Sequence, residues 1–446
     1  MQTASISNAS RSGDFKTAFN QLLFGAMVAR VRRGEGPARG RPPKLKVREL
    51  LSGLVFHCLQ DRGTLAENIR ILLRKQLAES SLSERRQNLP WKVFTSLMQA
   101  ALRPKATLKE NPLAFYRKWR LVAIDGTQFS VSNTPQILGS LSKAASRRMK
   151  AAFAKVGMAM LVELGIHNPL AAAIGKEGES ELVLAKQLLG SLPEQSLLMA
   201  DRFYGMAAFL VLLKERFSRV PGEFLVRVRG SLKPKMVEAL GDGSALVEAK
   251  VSKGGEKILV REIRGRVRRP GGSWVEVRFW TSLLDWKQCP AKELLELSAR
   301  RWEQELMYKE LKVDMRQAEL LRSHTVETAA QEVAALVIAH AILAEQRLCA
   351  ARHGGEDVLR MSFGKTLVHI RALWFVLAAG QGVLSTEQVS AMTRKVIKLI
   401  SQMALPRRRK RSCPRAVRQP VGSWPRLTKN TYSSGATKYK LTRIVA

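Results

Sequence analysis

The chain has 446 residues, of which 46% are hydrophobic and 25% charged, and this ordinary globular composition excludes a disordered basic tail protein. Lysine and arginine number 75 against 37 acidic residues, so the formal net charge is +38 and the expected partner is a polyanion. The four cysteines, at positions 58, 289, 349 and 413, form no Cys-X-X-Cys pair, which argues against a zinc finger and a disulfide framework.

Residues 1–110 are predicted to form a helical N-terminal DNA-binding region. Apolar residues recur at three- and four-residue spacings in LLSGLVFHCLQ and NIRILLRKQL, with Asp61 and Gly63 between the two segments. A DNA-reading helix-turn-helix and an ordinary three-helix core share this pattern, so both interpretations stay open. The basic linker before it contains Arg-Gly-Arg-Pro at 39–42, which suits an arm in a narrow minor groove or a solvated linker.

The sequence indicates neither export nor a membrane span. Arg30, Arg32 and Arg33 follow the first short apolar stretch, LLFGAMVA, which is the wrong order for a signal peptide. The longest apolar stretch, VAALVIAHAILA from Val333, is shorter than the roughly 18 residues that a membrane span needs. We therefore expect a protein of the cytoplasm, associated with the nucleoid, with no membrane partner.

Residues 111–234 are predicted to form the first part of an α/β core. The segments RLVAIDG, MAMLVEL, LAAAIGK, SLLMADR and EFLVRVRG predict strands, and SELVLAKQLLGSL and MAAFLVLLKERF predict the helices on either side of SLLMADR. This order of three strands, a helix, a strand, a helix and a strand predicts a mixed sheet whose first strands form an antiparallel meander.

A β-rich insertion is predicted at residues 235–288. The segments ALVEAKV, KILVREIRG and WVEVRFWTSLL alternate apolar and polar residues around Gly-rich turns. Trp274, Trp280 and Trp286 lie in this insertion, where they suit the stacking of an extruded DNA base. For at least two of them, packing within the protein is the simpler expectation.

The chain is predicted to be mostly helical from Pro290 to about residue 403. Residues 289–345 complete the core with the helix SARRWEQELMYKELK, and residues 346–403 form a helical C-terminal region. The Ala-, Val- and Ile-rich helices at 328–348 are expected to be packed core or a partner interface. Residues 404–446 form a basic tail with RRRKR at 407–411, which we expect to be flexible, either as a phosphate-binding arm or simply solvated.

Two aspartates follow predicted strands in the same way. Asp125 follows LVAI and precedes Gly126, where the strand is expected to stop in a turn, and Asp201 follows LLMA. Each aspartate alone is typical of an ordinary turn. If the two strands are parallel neighbours, both carboxylates lie at the edge where open α/β sheets place their sites, and their repulsion calls for a cation between them.

A third carboxylate lies on the predicted helix of SARRWEQELMYKELK. At about 100° per residue, Arg301, Glu305 and Lys312 face the same way. An amphipathic helix with an i, i+4 salt bridge has the same pattern. Combined with Asp125 and Asp201, however, Glu305 supplies a third oxygen ligand for a pair of hard divalent ions, which is the arrangement of phosphodiester chemistry.

These residues resemble the bacterial insertion-sequence transposases with an RNase H-like DDE core, in the group named after insertion sequence four. The resemblance covers about residues 40–345 and lies in AIDGTQ, ADRFYG, the β-rich insertion and RWEQELMYKELK. The group's signature is Tyr, two residues, Arg, three residues, Glu, six residues, Lys. Arg301, Glu305 and Lys312 match it, Ser298 occupies the Tyr position, and Tyr308 lies one turn after Glu305.

The resemblance implies a fold, a site and an activity. The fold is an RNase H-like mixed sheet core with a β-rich insertion, flanked by the helical N- and C-terminal regions. Asp125, Asp201 and Glu305 are then the catalytic triad that binds two Mg²⁺ ions, with Mn²⁺ as a substitute, and Arg301 and Lys312 contact DNA phosphates.

The activity implied is cut-and-paste DNA transposition: binding of the terminal inverted repeats of an insertion sequence, 3′-end cleavage and strand transfer. The partners implied are transposon ends and target DNA, held by a homodimer or a larger assembly. Two alternatives stay open, a metal-dependent nuclease without strand transfer and a non-catalytic DNA-binding protein derived from a transposase. With Ser298 at the Tyr position, a hairpin intermediate is not assumed.

Overall fold

The computed structural model describes nine stretches of the chain, which are residues 44–60, 62–143, 151–250, 257–268, 272–316, 319–406, 411–412, 433–434 and 438–442. The basic linker at 39–42 and residues 407–410 of the RRRKR run lie outside them. The predicted minor-groove arm is thus outside the described residues.

The helices lie where apolar residues recur every three or four positions. They are α1 (Val47–Leu59), α2 (Leu65–Leu73), α3 (Glu79–Gln87), α4 (Trp91–Ala101), α5 (Pro135–Ser140), α6 (Glu181–Leu188), α7 (Ala207–Arg219), α8 (Ala291–Leu297), α9 (Trp302–Lys309), α10 (Val326–Gly354), α11 (Phe363–Ala379) and α12 (Thr386–Ser401). Several begin at a Ser or Thr whose hydroxyl accepts from the first helical turn, as Thr325 does before α10.

The strands lie where apolar and polar residues alternate or where a short apolar run is bounded by turns. They are β1 (Phe115–Tyr116), β2 (Trp119–Val131), β3 (Ala154–Glu163), β4 (Asn168–Gly175), β5 (Ser196–Ala200), β6 (Gly222–Arg227), β7 (Lys235–Ala239), β8 (Ala245–Lys250), β9 (Lys257–Arg268), β10 (Trp274–Thr281), β11 (Arg411–Ser412), β12 (Ser433–Ser434) and β13 (Lys438–Thr442).

The described residues form two compact units, each built from segments that are distant in sequence. The first unit contains the described residues up to Phe115, together with Ile124–Pro193 and Glu303–Ala404. The second unit contains Tyr116–Ala123, Glu194–Trp302 and the described residues from Leu405 onward. The strand β2 is divided between them.

The first unit is organised around α10, which is buried along most of its 29 residues. The helices α1, α4, α11 and α12 and the strand β4 all pack against it. Its length and hydropathy would allow a membrane span, but 89% of its most apolar window is buried inside the protein. We conclude that α10 is a core helix, as predicted for the Ala-, Val- and Ile-rich segment.

The sheet of the first unit has the strand order β4-β3-β2. Strands β3 and β4 are antiparallel, from the pair Gly157 and Gly175 to the pair Glu163 and Asn168, with a shift in register after Leu161. This confirms the antiparallel pairing of the second and third strands of the predicted meander, and the first strand, β2, lies next to β3. The carboxylate of Glu163 is buried and accepts hydrogen bonds from the backbone amides of Lys105 (3.0 Å) and Ala106 (3.1 Å), which fixes the segment after α4 to the sheet.

The sheet of the second unit has the order β2-β5-β6-β10-β9-β8-β7. Strand β5 lies next to β2 and is parallel to β6. Strands β7 to β10 form the predicted insertion as an antiparallel ribbon, and β13 pairs with the half of β9 that β8 leaves uncovered. Part of the basic C-terminal segment is therefore an ordered strand. Together with the first unit, this sheet confirms the α/β class and the RNase H-like order of elements.

Two of the three insertion tryptophans are packing residues. Trp280 is fully buried, and its indole donates to Glu262 at 2.7 Å. Trp286 packs against Gly241, where a Cβ atom would lie 2.7 Å from the ring. Trp274 is 39% exposed, so it is the one of the three that keeps an accessible ring for base stacking.

His57 in α1 is expected to make the protein less stable in mild acid. Its Nδ1 accepts a hydrogen bond from Asn68 at 3.0 Å, and burial, reinforced by Arg322 and Arg86, lowers its pKa to about 4. Between pH 6.5 and about 4 the unfolded chain binds a proton that the folded chain does not. The free energy of unfolding should therefore fall by about 1.4 kcal/mol per pH unit in that range because of this residue.

Urea unfolding followed at pH 7, 6 and 5 measures this effect. His57→Gln, which keeps an acceptor for Asn68, should show a shallower loss of stability than the wild-type protein. His353→Gln, at an exposed position near the end of α10, should keep the wild-type slope. Equal slopes in all three proteins would contradict the assignment.

Candidate active site

Asp125 lies within β2, immediately after four fully buried apolar residues at 121–124. The strand continues to Val131, so the prediction that it stops in a turn at Gly126 is wrong. Asp125, Gly126 and Thr127 are half-buried and lie between this buried run and the buried Phe129 and Val131. The Asp125 side chain also accepts a hydrogen bond from the amide of Gly126 at 2.9 Å.

Gly126 allows the close approach of a second acid and does not form a turn. A Cβ atom at Gly126 would lie 2.2 Å from the carboxyl carbon of Glu181, so a larger residue would displace that carboxylate. Glu181 is the first residue of α6 and follows the N-cap Ser180. The helix N-terminus favours a negative charge at this position.

The segment that carries Glu305 is not a uniform α-helix. A 3₁₀ turn at Ser298–Arg301 precedes α9, which carries Glu305, and a π-helical segment at Glu310–Asp314 carries Lys312. The rotation of 100° per residue assumed from the sequence therefore does not hold along the whole segment. π-Helical turns are frequent at functional sites.

Tyr308 joins the helix of Glu305 to the strand of Asp125. Its hydroxyl donates to the Asp125 carbonyl oxygen at 2.6 Å and accepts from Gln304 at 3.2 Å. Burial raises the pKa of Tyr308 well above its ordinary value, and the charges of Asp125, Glu181 and Glu305 raise it further. The phenol therefore stays protonated and keeps donating, with three carboxylates from three different elements around it.

A buried ionic cluster holds the π-helical segment. The Glu310 carboxylate accepts from His167 Nδ1 (3.0 Å), His340 Nε2 (3.1 Å) and Arg347 (3.1 Å). Burial alone would raise the pKa of Glu310, but the charges of His167 and Arg347 and the hydrogen bonds hold it well below its ordinary value. Burial lowers the pKa of His340. A charged carboxylate thus anchors the end of α9 to α10, which supplies His340 and Arg347.

Three cations, Lys312, Arg316 and Lys155, are grouped near the strand of Asp125. Lys312 Nζ donates to the Thr127 hydroxyl at 3.1 Å and lies 5.6 Å from the centre of the Phe129 ring, and Arg316 lies 5.5 Å from the same ring. Burial lowers the pKa of Lys312, and repulsion from Arg316 and Lys155 lowers it further. Grouped cations next to Thr127 form a ready binding place for a phosphate.

Asp201 and Arg301 belong to the second unit. Asp201 follows the fully buried β5 and is half-buried; its Oδ1 accepts from the amide of Phe203 at 2.7 Å, which shapes the turn after the strand. The 3₁₀ turn that ends at Arg301 packs beside β5. Ser298 begins that turn, and its hydroxyl donates to the Leu295 carbonyl oxygen at 2.7 Å.

The structure thus brings together two of the three predicted acids, Asp125 and Glu305, through Tyr308. Sequence reasoning missed Glu181, Lys155 and Arg316, because no motif marks them and only the folded chain shows what they approach. The one sequence signal that could have indicated a close neighbour is the glycine directly after Asp125, which the sequence analysis interpreted as a turn residue.

The acids have the chemistry of a hard-metal site without forming a complete one. Among the described residues, no group of three or more histidine, cysteine, aspartate or glutamate side chains is arranged to hold a metal ion. Asp125, Glu181 and Glu305 are nonetheless half-buried carboxylates, which leaves them accessible, and carboxylate oxygens are the ligands that Mg²⁺ and Mn²⁺ prefer. These donors therefore suit such an ion by their chemistry, although they are not arranged as a formed cluster.

Comparison with known proteins gives consistent results. The family described as Transposase DDE domain matches residues 117–342. Transposase InsG for insertion sequence element IS4 of Escherichia coli (strain K12) is 27% identical over 321 residues, which are 70% of this chain and 71% of that protein. The putative transposase InsZ of the same organism is 29% identical over 98 residues, which are 22% of this chain and 33% of that protein.

Among solved structures, a cryo-EM structure of the piggyBac transposase synaptic complex with hairpin DNA aligns with a TM-score of 0.43 and 10% identity. The alignment covers 90% of this chain and 87% of that one.

Removal of the Tyr308 hydroxyl is expected to destabilise the protein. Tyr308→Phe loses a buried hydrogen bond and leaves the Asp125 carbonyl oxygen short of a donor, which should cost about 1 to 3 kcal/mol in the free energy of unfolding. Tyr116→Phe is the matched control, because the Tyr116 hydroxyl donates to Glu293 at the surface (2.7 Å) and its loss should change stability by less than about 0.5 kcal/mol. Urea denaturation measures both, and equal effects would contradict the structural role of Tyr308.

Proposed function

The chain belongs to the DDE transposases of the group named after insertion sequence four, and from this premise we propose that it binds the terminal inverted repeats of an insertion sequence and moves the element by cut-and-paste transposition. The chemistry proposed is metal-dependent 3′-end cleavage followed by strand transfer. The observation that carries the proposal is the hydrogen bond from Tyr308 to Asp125, because it ties the helix of one predicted catalytic acid to the strand of another.

In this proposal Asp125, Asp201 and Glu305 would hold two Mg²⁺ ions, for which Mn²⁺ could substitute. When bound, such ions would supply charge stabilisation to the attacking and leaving oxygens of the phosphodiester. The assignment of Asp201 rests on the family motif and on its position after β5.

The protein's own residues have three tasks in the reaction. Lys312 and Arg301 bind and orient the DNA phosphates; Lys312 now donates to Thr127, and the same ammonium group can donate to a phosphate oxygen instead. Tyr308 remains a phenol and keeps the Asp125 backbone in position. Glu310 keeps α9 fixed against α10 while DNA binds.

The proposed reaction has two steps. Water adds to the phosphorus at the end of the element, the bond from phosphorus to the element's 3′-oxygen breaks, and a 3′-hydroxyl and a 5′-phosphate are left. That 3′-hydroxyl then attacks a phosphodiester of the target and displaces the target's own 3′-oxygen. No covalent bond to the protein forms at either step.

Further parts of the proposal follow from the DNA substrate. Two element ends must be held together, so the working form is a homodimer or a larger assembly on transposon ends and target DNA. The site of action is the cytoplasm, at the nucleoid. A hairpin on the transposon end is not included, since Ser298 stands at the Tyr position and its hydroxyl is used within its own turn.

The proposal is tested by incubating purified protein with Mg²⁺ and linear DNA that carries the element's own ends. We expect cleavage at those ends and joining to a second DNA molecule. Glu305→Gln keeps the shape of the side chain but removes its charge, and it should lower the cleavage rate by about 10³-fold or more. Glu296→Gln, an equivalent change at an exposed position of α8, should leave the rate near that of the wild-type protein.

Each alternative function gives a different result in the same experiment. Cleavage of the ends without joining would identify a nuclease, and binding of the ends with no cleavage by the wild-type protein would identify a DNA-binding protein. Full activity of the Glu305→Gln variant would show that Glu305 is not a catalytic residue.

A further inference from the structure

A strongly basic groove of about 750 Å³ lies in the second unit, outside the residues assigned so far to the reaction. Cations dominate its lining, and Glu276 is the acid that accompanies them. The cations are Arg202, Arg227, Arg229, Lys233, Arg264 and Arg278. Such a surface attracts a polyanion. Because every nucleotide carries a negative charge, a nucleic acid complements it better than an acidic protein does.

The groove has a fixed wall, formed by the loop at 228–234. Arg278 is buried in an ion pair with Glu262, and its guanidinium also donates to the Leu232 carbonyl oxygen at 2.5 Å. The amide of Val228 donates to the Arg278 carbonyl oxygen at 2.9 Å. Arg278 is therefore a structural residue that fixes the loop to β10, and the backbone that carries Arg229 and Lys233 is held in place before a ligand binds.

The cations that face solvent are the ones left for a ligand. Arg202, Arg229 and Lys233 are exposed, and among the described residues no ion pair neutralises any of them. Arg264 is bonded to Glu262 at 2.7 Å through one guanidinium nitrogen, while 46% of its side chain remains exposed. Glu276 lies on the rim, paired with Arg266 at 3.3 Å. The positive charge of the groove is thus only partly compensated.

Apart from arginine, which can also contact guanine, the groove lacks the side chains that recognise bases. Among the residues described along it there is no aromatic ring for stacking and no Asn or Gln for reading adenine. Its contacts are suited to the sugar-phosphate backbone, which carries no sequence information. This fits DNA of variable sequence better than terminal repeats, whose sequence is fixed.

The groove also begins next to a proposed catalytic residue. Arg202 lines it, and Arg202 directly follows Asp201 in the chain and in the same unit. A DNA strand bound at Asp201 would therefore have a cation of the groove, Arg202, at the adjacent position of the protein chain.

We propose that this groove binds the phosphate backbone of DNA outside the element, and this inference rests on the proposed function. Before cleavage that DNA is the flank of the element, and during strand transfer it is the target. Arg202, Arg229 and Lys233 are the contacting cations. The groove does not take part in recognising the terminal repeat.

The experiment uses the double variant Arg229→Gln/Lys233→Gln and a 30-base-pair duplex of arbitrary sequence, with binding measured by fluorescence anisotropy between 50 and 300 mM NaCl. Loss of two phosphate contacts should weaken binding about 10-fold and reduce the slope of log K against log salt by about 2. The matched control is Lys214→Gln/Arg219→Gln, which removes the same charge from exposed positions of α7 outside the groove and should change the slope little.

A second measurement identifies the DNA segment. Element ends that carry ten flanking base pairs should bind the wild-type protein more tightly than ends cut at the element's border, and the Arg229→Gln/Lys233→Gln variant should lose that difference while it binds the cut ends as before. An unchanged salt slope, an equal change in the control, or weaker binding of the cut ends would overturn the proposal. The duplex measurement needs no cleavage. A failure of this proposal can therefore be distinguished from a failure of the proposed function, which the Glu305→Gln variant tests.

Discussion

The buried carboxylate of Glu310 is the constraint on which the candidate site of the first unit depends. A carboxylate without partners would be very costly in this apolar core, but Glu310 has two histidines and an arginine as donors and stays charged. Removing one partner of such a cluster typically costs about 3 to 5 kcal/mol. The cluster therefore fixes the π-helical segment firmly against α10, and α9 cannot rotate freely.

The position of Glu305 follows from this anchoring and from a second one. At one end of α9 the π-helical segment is held by Glu310, and along the helix Tyr308 donates to the backbone of Asp125. Both contacts use groups that stay in one protonation state near neutral pH, a charged carboxylate and a neutral phenol. The acids around Tyr308 repel one another, so a rigid scaffold is needed to keep them together before a cation relieves the repulsion.

Part of the basic charge of the chain is grouped in two places, one in each unit. In the first unit, Lys155, Lys312 and Arg316 gather around the strand of Asp125. In the second unit, the cations of the groove follow Asp201, and β13 adds part of the basic C-terminal segment to the sheet as an ordered strand. A net charge of +38 indicated a nucleic-acid partner, but it did not indicate which cations are held in place and which merely keep the protein soluble.

The sequence by itself determined the order of strands and helices, the insertion, and the motif residues Asp125, Asp201 and Glu305, because periodicity and signature spacing are local properties. It was wrong about Gly126, which it read as a turn: a glycine in a strand and a glycine in a turn look alike until the neighbour, here Glu181, is known. It also assumed a uniform helix through Lys312, whereas a distant buried cluster favours a π-helical segment. Only the tertiary structure decided these points, since contacts between residues 30 to 143 positions apart depend on how the core packs and leave no trace in local spacing.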